Sequence, residues 1–440
     1  MTTDRRKKVL KVKWLVVVAI IIVIIATTTG LQGCKQAAET TAAAETTAAA
    51  ETTAAAETTA AAETTAAAEE APYVTEWEIP NLIFATGDWG VYAKEMLWGL
   101  DRAVAEINSS GGIRGIPVKV TTYDVGTGKP ELAVTQMAKA LEKKPLVIMG
   151  SHGSVDAEAN SQLAIDEGVY MVQGTSSRTA YEKFKPWVYI QVVPEKKWAW
   201  PTAQYWAEQN PDIKKVVFFV QPELTTWYSQ AQEQQKALKV VGVETVEEIA
   251  ITDTVDFSSM AVRALSNNPD GFVPYCSPEA VAKIALELQK RGVNENRRFL
   301  FFHGAGTPEF FTLAQGKLDG SYYWTITNLF VDSPKWQSFF EDYKVEFGDQ
   351  IPSGVAASCY DEINIIKQAF EDLKITGNPD KLVEERLMIK DYINNIKGFE
   401  FLQGTFDIID GEKQEGSYMY ILKDNTPTQM VQMPTIYKEE

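Results

Sequence analysis

The 440-residue sequence has little of what most catalytic and nucleic-acid chemistry needs. Three cysteines (Cys34, Cys276, Cys359) are too few for a disulfide scaffold or a multi-cysteine zinc module. Two histidines, His152 and His303, leave little room for a His-rich metal site, so no metal or other cofactor is assigned. A Ser-His-Asp triad or a Cys-His pair would have to use one of those two. Cations are outnumbered, 42 Lys and Arg against 59 Asp and Glu, for a net charge of −17. Nucleic-acid affinity rests on cationic contacts to phosphate, so that balance excludes nucleic acid as the expected partner. Long apolar runs are also missing. The unbroken stretch Trp14 to Ala26 makes about 20 Å of helix, short of the ~30 Å of a bilayer core.

That short stretch follows Arg5, Arg6, Lys7, Lys8, Lys11 and Lys13, and a basic region before a short apolar one reads as a secretory signal over residues 1–33. Leu31-Gln32-Gly33-Cys34 then resembles the bacterial lipobox, in which the cysteine becomes the lipid-modified first residue. Lipid chains on Cys34 would hold the protein at an extracytoplasmic membrane surface without a spanning helix. Loss of six cationic side chains and Asp4 with the signal leaves the mature chain near −22. Five copies of Glu-Thr-Thr-Ala-Ala-Ala run from Glu39 to Ala68. Alanine methyls alone bury too little to form a core, so residues 34–72 read as the lipidated cysteine and a spacer.

From residue 73 onward, strand-like and helix-like segments alternate. Apolar runs at 81–85, 117–124, 146–150 and 169–173 predict four strands, and Ala93, Leu97, Leu100, Val104 and Ile107 mark one face of a helix that Gly111-Gly112 ends. The pattern restarts at 216–220, 244–249, 271–275 and 298–302. Such alternation predicts an α/β fold of two doubly wound parallel-sheet lobes. Ligands of such sheets bind beyond the strand carboxyl ends. Those ends carry 87–90 with Trp89, 151–154, 174–177, 225–229, 275–277 and 304–307 with Gly304. Trp89, Tyr92, Trp198, Trp227, Tyr275 and Trp324 crowd the presumed cleft, where aromatic faces suit apolar or aromatic ligands.

The order of motifs carries a resemblance. The lipobox, Gly111-Gly-Ile-Arg-Gly115, Tyr123-Asp124, the loop 150–154, Thr175-Ser-Ser177, the run Ala357–Ile363 with Tyr360-Asp361, and Gly404–Gly411 together resemble the branched-chain amino acid type of ABC-transporter substrate-binding protein. The resemblance covers residues 75–425. It implies a type I periplasmic-binding-protein fold, a Venus flytrap whose lobes are joined by three crossing strands, here near Tyr189–Val193, Tyr322–Thr327 and Glu400–Phe406. The lobes would comprise 73–191 with 325–399, and 192–324 with 400–440. It also implies a small-molecule ligand, a membrane permease and its ATPase subunits as partners. The ligand carboxylate would rest on Ser151, His152, Ser154, Gly174, Thr175 and Ser176, near helix starts that favour anions. An ammonium would be met from the second lobe by Glu195, Trp227, Tyr228 or Tyr275. The stretch Gln221–Tyr228 departs from the family's usual shorter loop and puts that cation site, and the amino acid, in question.

The expected function is solute capture for an ABC importer, with an aliphatic amino acid as first ligand and an aromatic or other organic acid, or an amide, as the alternative. A sensor module is the rival binding role. An enzyme is not expected: Ser151 and His152 are sequence neighbours whose side chains point apart, and no nucleophile-elbow Gly-x-Ser-x-Gly lies between a strand and a helix. Cys276 and Cys359 read as small buried hydrophobes, with a disulfide between them left open. Cells fed a labelled fatty acid should incorporate it into the wild-type chain and not into Cys34→Ser; an unlabelled wild-type protein would remove the lipid anchor.

Overall fold

The computed structural model describes residues 70–433, apart from 88, 175–177, 193–194, 253–255, 327, 349–351 and 354. The signal, Cys34 and the repeat spacer lie outside the described residues. Among the described residues no helix is long and apolar enough to cross a membrane.

The first lobe begins as β1 (Trp77–Ile83), α1 (Gly90–Ser109), β2 (Val118–Asp124), α2 (Pro130–Leu141), β3 (Val147–Met149), α3 (Ser154–Asp166), β4 (Tyr170–Gln173), α4 (Arg178–Phe184) and β5 (Val188–Ile190). Strands β3, β4 and β5 are wholly buried, as expected of parallel strands covered by helices on both faces. Helix α1 buries Ala93, Met96, Leu100, Ala103 and Ile107 at three- and four-residue steps. Gly112 follows with φ 78°, and a Cβ there would strike the Ile116 carbonyl, so only glycine allows this exit.

The second lobe follows as α5 (Lys196–Gln209), β6 (Lys215–Val220), α6 (Thr225–Val240), β7 (Glu244–Ala250), α7 (Phe257–Leu265), β8 (Gly271–Tyr275), α8 (Pro278–Lys290), β9 (Leu300–Phe301), α9 (Pro308–Ala314) and β10 (Tyr322–Thr325). The chain then returns through α10 (Pro334–Phe347), α11 (Ser358–Asp372), α12 (Leu382–Ile393), β11 (Phe399–Phe401), β12 (Gly404–Phe406), β13 (Ile408–Ile409) and β14 (Glu412–Lys413), and ends as β15 (Tyr418–Lys423) and β16 (Thr426–Gln432).

The first sheet runs β13-β14-β5-β4-β3-β1-β2. The second runs β7-β6-β8 and β9-β10-β15-β16, linked by a parallel bridge between Phe272 and Phe299. In each, the chain lays its second strand on one side of the first and its third on the other, so order reverses at β1 and again at β6. Loops leaving neighbouring strands diverge at such a point and open a crevice. Two separate apolar cores result. One gathers Leu82, Ile148, Val172, Ile190 and Ile366; the other gathers Trp198, Trp206, Phe219, Phe272 and Trp324. Trp198 and Trp206 are fully buried and dock α5, with Trp198 on Trp324 at 4.7 Å between ring centroids.

The chain passes between the two cores after β5, after β10 and after β14. The third comes later than the expected Glu400–Phe406. Phe399, Phe401, Leu402 and Ile408 are buried in the first core, and β14 pairs with β5 through Glu412 and Ile190, so residues 399–413 belong to the first lobe. The sequence placed the crossing at the glycine-bearing hairpin; aromatic burial keeps that hairpin where it is. Asp361 of α11 ties the first of these passages to the hairpin, accepting from Gln191 Nε2 (3.3 Å) and the Leu402 N–H (2.8 Å).

Just before the third crossing, buried Lys413 pairs with buried Glu415 at 2.5 Å and lies over the rings of Phe401 (4.2 Å) and Phe406 (5.1 Å). A buried pair that loses one partner leaves an uncompensated charge. Lys413→Met should therefore cost about 3 kcal/mol in denaturant unfolding, and Lys413→Met/Glu415→Leu should recover most of it. A single substitution that costs nothing would mean the pair is well solvated.

Candidate functional site

The loops at the strand ends of both lobes meet around a chamber of ≈ 820 Å³, counting its open mouth. From the first lobe come Phe84 and Trp89 after β1, Tyr92 and Met96 of α1, His152 and Ser154 after β3, and Gly174 after β4. The second lobe contributes Thr226 and Trp227 in the first turn of α6, with His303, Gly304, Gly306 and Thr307 after β9. Val192, Ile326, Ser353 and Val355 close the hinge side. No Lys, Arg, Asp or Glu lines this chamber among the described residues. Glu95 and Glu309 appear only in the adjoining outer space, and Glu95 already accepts the Ser353 N–H at 3.0 Å.

The walls are set by aromatic packing. Trp89 stands edge-on to Phe84 at 5.5 Å, and Trp227 edge-on to Phe302 at 5.0 Å. Gly304 permits the second contact, because a Cβ there would sit 2.9 Å from Trp227 Cζ2 and nearer still to the Phe302 ring. Thr307 spends its hydroxyl on the Phe310 N–H as the cap of α9. Helix α3, by contrast, starts at Gly153 without a side-chain cap hydrogen bond.

Both histidines are neutral. Desolvation lowers His303 to about 4, and its Nε2 meets Gln230 Oε1 at 3.2 Å. Desolvation lowers His152 further, to about 3. Its Nε2–H donates to Asn81 Oδ1 (2.8 Å), which leaves Nδ1 unprotonated, 3.7 Å from Glu362 Oε1. Burial, then the neighbouring Asp361, pushes the Glu362 carboxyl well above the ordinary range.

Of the residues singled out from the sequence, the chamber brings together Trp89, Tyr92, His152, Ser154, Gly174, Trp227 and Gly304. Ser151 faces the helix behind it, accepting from Asn160 Nδ2 at 2.7 Å. Glu195 is buried at the start of α5, and Tyr275 is fully buried under Phe302 at 4.5 Å, so neither lines the chamber. Tyr228 points outward to Glu248 (3.2 Å). Thr175 and Ser176 lie outside the described residues. Cys276 and Cys359 are both free and buried, without a disulfide. Sequence reasoning missed Phe84, Met96, His303, Ser353 and Val355 as lining residues. Phe84 and His303 follow strand ends and were findable; Ser353 and Val355 come from a loop with no local signal.

Asp156 stands in the first turn of α3 and is 1% exposed. Burial raises its pKa to about 7, against a smaller lowering from the Lys129 backbone N–H. A raised carboxyl pKa means the native state holds its proton where the unfolded state has lost it. Its ionisation therefore destabilises the fold above pH 7, and the penalty vanishes below the unfolded value of 3.8. Asp156→Asn should stabilise the protein at pH 8, by at most roughly 4 kcal/mol, and make no difference near pH 3.5. An equal effect at both pH values would contradict this titration.

The fold recurs in solved structures. The branched-chain amino acid transporter substrate-binding protein LivJ from Streptococcus pneumoniae, in complex with isoleucine, is 20% identical, with 80% of this chain and 98% of that one aligned and a TM-score of 0.67. The leucine-binding protein LivK from Thermotoga maritima is also 20% identical, covering 81% and 98%, with a TM-score of 0.68. A solute-binding protein from R. palustris in complex with benzoate is 16% identical, covering 83% and 98%, with a TM-score of 0.68. No curated protein matches the sequence. The family pattern described as periplasmic binding protein matches residues 76–423, a span that includes both lobes and every described chamber residue. With its two-lobed fold, the chain belongs to the periplasmic binding protein family.

Proposed function

We propose that this protein is the lipid-anchored solute-binding component of an ABC importer, and that its solute is a small aromatic carboxylate rather than an α-amino acid. The observation that carries the choice of solute is the chamber's lining, aromatic and apolar with no acidic side chain among the described residues to receive an ammonium. Phe84, Trp89, Tyr92 and Trp227 offer ring faces and edges to a planar ligand. The start of α3, where Gly153 brings no capping side chain, turns helix-dipole charge toward a carboxylate. Benzoate in one structural neighbour and 4-hydroxybenzoate in another, also from R. palustris, support this class, while isoleucine in LivJ supports the alternative. Closure of the lobes on the solute presents both to a membrane permease, whose ATPase subunits supply the energy.

Isothermal titration should find binding of benzoate or 4-hydroxybenzoate and none of leucine or isoleucine. Trp227→Ala should weaken the aromatic ligand about tenfold, near 1.4 kcal/mol. Leucine binding without any response to aromatic acids would overturn the assignment.

A further inference from the structure

The second-lobe wall of the chamber holds a ring nitrogen that an unsubstituted aromatic acid leaves without a partner. His303 opens the turn after β9 and lines the chamber. Its imidazole is boxed by aromatic rings, with centroids 5.2 Å from Trp324, 5.6 Å from Phe302 and 5.8 Å from Trp198. All three of those side chains are fully buried, so the imidazole has a fixed place. Gln230 of α6, itself 1% exposed, fixes the tautomer. Its amide oxygen Oε1 faces Nε2 at 3.2 Å, and an oxygen needs a proton from that nitrogen, so Nε2 carries it. Nδ1 keeps a lone pair and has no partner among the described residues. Unlike Nδ1 of His152, it is not sealed inside the core. Desolvation keeps the ring neutral, so this nitrogen remains an acceptor at neutral pH.

The other polar side chains on this wall are the hydroxyls of Thr226 and Thr307, and Thr307 already caps α9. A hydroxyl turns to donate or to accept, whereas an unprotonated imidazole nitrogen only accepts. An ionised carboxylate has no proton to give it, and a bare ring edge would strip its water and return nothing. We propose that the preferred solute is a hydroxylated aromatic acid, whose ring O–H donates to His303 Nδ1 while its carboxylate rests at the start of α3 on the opposite lobe. The assignment rests on the aromatic-acid reading of the chamber and adds the donor that reading lacks. Sites that hydrogen-bond a hydroxyl reject the analogue without it, because the buried partner is then left unpaired. Gln230 is a positioning residue here, acting through the tautomer it sets.

Titration calorimetry on the full-length chain compares 4-hydroxybenzoate with 4-fluorobenzoate, which is close in size and lacks the O–H. The hydroxylated acid should bind at least about tenfold more tightly. In His303→Phe that ratio should fall below about threefold. Thermal melts of the variant separate a lost contact from a lost fold. Nitrogen NMR on the wild-type chain gives a second reading that needs no variant. The His303 ring, assigned through its contacts to Trp198 and Trp324, should show an unprotonated Nδ1 whose signal moves with 4-hydroxybenzoate and stays with 4-fluorobenzoate. Equal affinities in the wild type, a preference that survives His303→Phe, or a protonated Nδ1 would overturn the assignment and leave aromatic acids as the solute. Failure of both benzoates to bind would instead remove the aromatic-acid reading, and this preference with it.

Discussion

Both sheets are sandwiched between helices, and that covering decides where polar chemistry can occur. Along β3, β4, β5 and β8 every residue is buried, so each strand's side chains and backbone are committed to the core and the ladder. Uncommitted backbone is left at the strand ends. Because strand order reverses at β1 and at β6, the loops at those ends part and leave a hollow. The chamber is the meeting of two such hollows, one from each lobe.

The same covering sets the electrostatics. His152 and His303 are held neutral by desolvation, and Asp156, Asp361 and Glu362 are pushed toward their protonated forms for the same reason. Among the described residues no ionised side chain lines the chamber, so no counter-charge for an ammonium stands on its described wall. The choice of a planar acid as solute rests on that lining.

Much of this was legible before the structure. The runs at 146–150, 169–173 and 216–220 became strands because near-continuous apolar side chains suit a sheet buried on both sides, while 117–124 and 244–249 became half-exposed edge strands. Glycine and tryptophan at strand ends marked Trp89, Gly174, Trp227 and Gly304 for the chamber. Local pattern failed wherever a residue's surroundings came from far along the chain. Tyr275 reads like a strand-end aromatic yet lies beneath Phe302 in the core, and Glu195 is buried where α5 begins. Ser353 and Val355 reach the chamber from the returning segment. Cys359 and Glu362 sit on a helix whose periodicity announces burial but not what it is buried against. The late third crossing was hidden likewise, since only tertiary packing shows that Phe401 and Phe406 close over Lys413.

That late crossing governs the order in which the molecule can be completed. Strand β5 ends at Ile190 and receives β14 only when residue 412 is available. Strand β10 ends at Thr325 and receives β15 only from residue 418 onward. Each sheet thus takes an outer strand from the returning segment, far along the chain from the strand it joins. Contacts that span so much sequence are slow to form, so neither lobe closes its sheet by local folding alone.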